Sequence, residues 1–111
     1  MERLQYRQGD IFIIEVNEDI PSNAKVEERD NERIVLAYGE VTGHAHAIHN
    51  KGATLYALKN NLRLLKTEED VELVHEEHST IQLPANKTFQ IIRQRIYTPE
   101  RIVTVADWGI S

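Results

Sequence analysis

Short runs of β-branched and aromatic residues, each stopped by turn residues, restrict this chain more than any other feature. Ile11-Phe12-Ile13-Ile14-Glu15-Val16 starts directly after Gly9-Asp10. Residues 33–38 end at Gly39, and 53–58 lie between Asn50-Lys51-Gly52 and Lys59-Asn60-Asn61. Residues 62–65, 80–83 (stopped by Pro84), 88–97 and 102–105 repeat the pattern. Turn signals are spaced roughly eight to twelve residues apart, and 111 residues are too few for a doubly wound nucleotide-binding domain or an (α/β) barrel. We expect an all-β fold, a small single-domain barrel or sandwich of about seven to nine short strands spanning residues 1–111.

Finer expectations follow from the same pattern. Residues 17–31 carry seven charges (Glu18, Asp19, Lys25, Glu27, Glu28, Arg29 and Asp30) and read as an exposed loop with a short extended piece at Lys25-Val26. The turn at 50–52 predicts a hairpin between the histidine-bearing segment before it and the strand at 53–58. Residues 67–78 have two readings. Thr67 and Asp70 suit a helix capping box, with Val71, Val74, His75 and His78 on one helical face. As a strand, Val71, Leu73, His75 and Glu77 share a face. The strand is preferred, because the neighbours are strand-like and a helix of that length is marginal. In 88–97, Phe89 and Ile91 alternate out of phase with Ile92 and Ile96, which predicts a bulge or burial on both faces. The expected core is Ile11, Ile13, Ile34, Leu36, Leu55, Leu73, Ile81, Leu83, Ile91 and Ile96, with Trp108 plugging one end.

Composition narrows the chemistry. The 111 residues include no cysteine, which excludes disulfides, thiolate metal sites, iron–sulfur clusters and cysteine nucleophiles. Eighteen acidic and thirteen basic residues leave a net charge of −5, which argues against general binding to a nucleic-acid backbone. The apolar run Ile11–Ile14 is four residues long, far short of the roughly 20 of a spanning helix. Met1-Glu2-Arg3-Leu4-Gln5 lacks the apolar core of a signal peptide. A cytoplasmic protein of a bacterium or phage, with no membrane partner, is the expectation. No phosphate-binding glycine loop and no G-x-S-x-G is present.

Histidine and carboxylate therefore carry the site chemistry. All five histidines fall in two tracts, His44, His46 and His49 in one and His75 and His78 in the other. Glu40 precedes the first tract, and Glu76 and Glu77 lie inside the second. On a strand, His44 and His46 point to one side and present two imidazoles to a common ion, with Ala45 and Ala47 leaving space beside them. The second tract is the remaining source of imidazole. His75 pairs with Glu77 in the strand reading and with His78 in the helical one. The expected ligands are His44, His46, His75 and His78, with Glu77 as a further ligand or general base. Such donors suit a divalent transition metal: zinc, iron, manganese, nickel or copper. Six acids in residues 68–77 favour a cation beside the second tract. Gly39 and Gly43 frame the first tract and permit close backbone approach.

The stretch from Gly39 to His44-Ala45-His46 resembles the first metal motif of the cupins, small β-barrels in which a glycine precedes H-x-H and then a glutamate. Four residues separate Gly39 from His44 where the cupin motif has five, and Lys51 stands near the glutamate position. His78, Pro84 and Asn86 keep the spacing of the second cupin motif, but its histidine position is Phe89. The resemblance covers about 50 residues. It implies a β-barrel with a histidine-lined pocket, and it carries only His44 and His46 over as ligands.

Two other functional classes compete with a metal-binding domain, which as an enzyme would perform metal-assisted hydrolysis or a cupin-like isomerase or oxygenase step. One is a non-enzymatic interaction module whose histidines are structural or respond to pH. The other is a binder of nucleic acid or of a phosphoryl-bearing or other small anion through Arg93, Arg95 and Arg101. Exposed edge strands make a homodimer an expectation.

Overall fold

A computed structural model describes residues 3–39 and 43–94. They form ten strands and no α-helix: β1 (Gln5–Gln8), β2 (Ile11–Val16), β3 (Lys25–Val26), β4 (Ile34–Tyr38), β5 (Ala45–Ile48), β6 (Ala53–Ala57), β7 (Arg63–Thr67), β8 (Val71–Val74), β9 (Ile81–Leu83) and β10 (Lys87–Arg93). Among these residues no helix is long and apolar enough to cross a membrane. Residues Glu40, Arg95, Ile96, Tyr97, Arg101 and Trp108, together with the expected strand at 102–105, lie outside the described residues.

The strands make two antiparallel sheets. One has the order β1-β2-β10-β7-β6-β3, the other β4-β5-β8-β9. Neither closes on itself, so the all-β expectation holds while the closed barrel and the count of seven to nine strands do not. The surplus comes partly from β1. Gln5-Tyr6-Arg7-Gln8 lacks apolar alternation, yet among the described residues it is an edge strand paired only with β2 and does not need it. Gly9 and Asp10 form the two-residue connection, with Gly9 at φ +59°, the conformation such hairpin turns demand.

Both sheets bury a common core: Ile11, Ile13, Leu55, Leu65, Phe89 and Ile91 from the first, Ile34, Leu36, Ile48, Val71, Leu73 and Leu83 from the second. Ile81 is only partly buried against it. β10 runs in continuous register between β2 and β7, with no bulge over residues 87–93. Phe89 and Ile91 face the core, and Ile92 is half-buried on the other face.

The sheets part at residues 50–52, where a hairpin was expected. β5 pairs with β4 and β8, whereas β6 pairs with β7 and β3. Turn residues signal a change of direction but not the partner the chain meets afterwards. Here the connection is held from outside. Arg29 donates to the carbonyls of Asn50 and Ala53, Glu72 N–H donates to Asn50 Oδ1, and Glu68 N–H donates to Gly52 O.

Arg63 of β7 reaches across to the edge of β4 that no strand among the described residues covers. Its guanidinium donates to Val35 O (3.1 Å) and Leu36 O (2.6 Å) and pairs with Glu27 (2.9 Å). A side chain thus satisfies edge carbonyls that a neighbouring strand would occupy in a barrel.

The strand reading of residues 67–78 holds for β8 only. Thr67 caps no helix; it ends β7, fully buried, and its hydroxyl donates to Pro84 O and accepts from Lys87 N–H. After Val74 the chain leaves strand geometry and bends through residues 76–78. His75 and Glu77 therefore do not share a strand face, and His75 and His78 do not share a helical one.

Candidate functional site

The bend after β8, the start of β5 and the β1–β2 turn meet at one end of the molecule. They enclose a cleft of about 310 Å³ lined by Asp10, Gly39, His44, His46, His75, Glu77, His78 and Arg93. Four of the five histidines gather there, although the tracts are 26 positions apart at their nearest in sequence, from His49 to His75. Ring centroids lie 4.3 Å apart for His46–His75, 4.7 Å for His75–His78, 5.7 Å for His44–His75 and 5.9 Å for His46–His78. His49 does not join them; it is exposed and lies with Ala45 and Ala47 on the other side of β5. The two alanines thus do not flank the imidazoles inside the cleft.

His46 sits on the inward side of β5 and is 3% exposed. Its Nδ1 lies 2.8 Å from Oε1 of Gln8, which is itself 2% exposed. The Gln8 amide nitrogen donates to Leu73 O (3.0 Å) and Ser79 O (2.9 Å). That fixes which end of the amide is oxygen, since the reverse orientation would set oxygen against two carbonyls. Gln8 Oε1 can only accept, so Nδ1 of His46 carries the ring proton. The lone pair on Nε2 is left facing the cleft, 3.7 Å from Asp10 Oδ1. Two acceptors facing one another attract a cation or a proton donor between them. Burial pushes the pKa of His46 down to about 4; His75 adds to the shift and Asp10 opposes it.

His75 is held differently. Its Nδ1 accepts the Glu77 backbone N–H at 3.0 Å, so its ring proton belongs on Nε2. An ion taken at Nδ1 displaces that hydrogen bond, and one taken at Nε2 displaces the proton. His44 Nδ1 lies 3.2 Å from Glu77 Oε2, and the Glu77 side chain is 62% exposed.

Among the described residues, the donor atoms that lie within 4.8 Å of one another belong to His44, His75 and Glu76. The cleft thus collects the expected His44, His46, His75 and His78, but the tightest donor set replaces His46 and His78 with Glu76. Glu76 accepts the Ala45 backbone N–H at 2.9 Å. That bond, with its own backbone N–H, holds the Glu76 carboxyl below the usual carboxylate range; His44 and His75 act in the same direction.

Two further site residues carried no metal-type signal in sequence. Gln8 is a polar residue at the end of an unremarkable strand. Gly9 reads only as a turn, yet a Cβ there would lie 2.9 Å from His78 Nε2 and 3.2 Å from His46 Cε1. Gly39 behaves as the sequence suggests: its N–H donates to His44 O at 2.8 Å, and a Cβ would lie 3.0 Å from that of His44. Arg93 pairs with Asp10 Oδ2 at 3.1 Å and donates to Tyr38 O. A larger hollow of about 420 Å³ lies between β4 and Arg63, but there Arg63 is already bonded to Glu27 and the β4 carbonyls.

Comparison with protein families matches residues 7–94 to the family described as "Domain of unknown function (DUF8820)", and the chain belongs to that family. Comparison with curated proteins found no match. Comparison with solved structures found none either.

Proposed function

We propose that this member of the family binds a divalent transition-metal ion beside the histidine cleft, where His44 and His75 meet Glu76. His44, His75 and Glu76 are the ligands, with His46 and His78 beside them in the cleft and outside that set. The observation that carries this reading is the mutual approach of the three donor groups within 4.8 Å, drawn from both histidine tracts. Imidazole and carboxylate without thiolate suit zinc, iron, manganese, nickel or copper. Two histidines and one carboxylate leave coordination positions open, so a bound ion would supply Lewis-acid polarisation there. Glu77, exposed and in contact with His44, is the candidate general base.

Elemental analysis of untagged protein tests the reading. Close to one transition metal per chain is expected, falling to a small fraction in His44→Ala and Glu76→Ala. No metal under repletion, together with a melting temperature unmoved by zinc, would sink it.

A further inference from the structure

The outer face of the four-stranded sheet carries a trough of about 210 Å³. Its floor is Ala45 and Ala47 of β5 with Val74 of β8, the cross-strand partner of Ala47. Arg33 and His49 stand at its rim, and His75 and Glu76 line it as well. The other half-buried arginines are spoken for: Arg29 binds the carbonyls of Asn50 and Ala53, Arg63 binds Glu27, and Arg93 binds Asp10. Arg33 is half-buried as a residue, and its guanidinium makes no hydrogen bond or ion pair with any described residue; neither does the His49 ring. A guanidinium with no hydrogen bond or ion pair to a described residue offers its planar fork of donors to an oxyanion.

We propose that this trough binds a small carboxylate with a short apolar body. The carboxylate sits on Arg33 and His49, and the apolar part lies against Val74, above the almost fully buried Ala45 and Ala47. The volume is below the roughly 300–1,000 Å³ of drug-sized sites, so the ligand has only a few heavy atoms. Free phosphate has the charge but nothing to place on the apolar floor. The role of such a ligand as substrate rests on the metal reading, because His75 and Glu76 belong both to the trough and to the donor set.

The test uses the full chain, titrated with butyrate and, in parallel, with inorganic phosphate, while NMR follows the methyl groups of Ala45, Ala47 and Val74. Saturable shifts with butyrate are expected, with phosphate at least tenfold weaker. Arg33→Gln should weaken butyrate at least tenfold, and His49→Ala, at an exposed position, should weaken it in the same direction. No saturable shift, an equal response to phosphate, or parental affinity in Arg33→Gln overturns the subsite. Visible absorption of the Co2+-loaded protein reads the metal independently. Butyrate shifts without any Co2+ band would overturn the metal reading alone, and a Co2+ band without butyrate shifts would overturn the subsite alone.

Discussion

Gln8 and His46, 38 positions apart in sequence, are joined by a 2.8 Å contact between two side chains that are both almost fully buried. Every polar atom of the Gln8 amide is used: the nitrogen on two carbonyls, the oxygen on the ring. One residue of the first edge strand thus ties β8, the bend that follows it and the imidazole of β5 into one arrangement.

Gln8→Leu keeps the bulk and removes all three bonds. The buried Leu73 carbonyl and the His46 ring N–H lose their partner, as does the carbonyl of exposed Ser79, and the expected loss is about 2–3 kcal/mol. A lower urea midpoint at unchanged slope would show it. A packing role alone predicts no change at His46, whereas the arrangement here predicts that its ring 15N shifts move toward a mixture of tautomers. Unmoved shifts would refute the assignment.

The depressed pKa of His46 makes the metal-free fold sensitive to acid. The unfolded chain takes up a proton near pH 6.5, while the folded ring resists until about pH 4. Between those values the unfolded state binds more protons, so stability falls as pH drops, by roughly 3 kcal/mol at most. Above the upper value this group contributes no pH dependence, and below the lower one the loss is complete. Denaturation curves against pH for the parent and His46→Leu should differ in slope only inside that window. Parallel curves would contradict the shift.

Gly9→Ala combines two penalties. A left-handed residue with a Cβ costs about 1–2 kcal/mol, and the new carbon would sit 2.9 Å from His78 Nε2. Lower stability by at least that cost is expected, with displaced His46 and His78 ring resonances and weaker zinc binding. A variant matching the parent in its histidine resonances would show that the turn does not shape the cleft.

Much of this was legible beforehand, and particular residues show why. Lys25-Val26 is a short extended piece inside a charged loop, as its β-branched valine suggests. Eight of the ten expected core residues are buried; Ile81 is partly so, and Ile96 lies outside the described residues. Phe89, Leu65 and Ile48 belong in that core too. The two histidine tracts announce themselves because histidine is chemically distinct and clustered. Glu76 stood in plain view among other acids, but nothing local separates it from Glu77. The Ala45 N–H that clamps it comes from 31 positions away.

The amino-acid pattern by itself determined the all-β character, the turns and the absence of thiol chemistry, because alternation, turn preference and side-chain type are local properties. Only the tertiary structure decided that the chain changes sheets at residues 50–52, that β8 stops before His75, and that Gln8, Gly9 and Glu76 stand with the histidines. Each of those depends on which distant backbone groups and rings meet in space, and no short-range periodicity encodes such meetings.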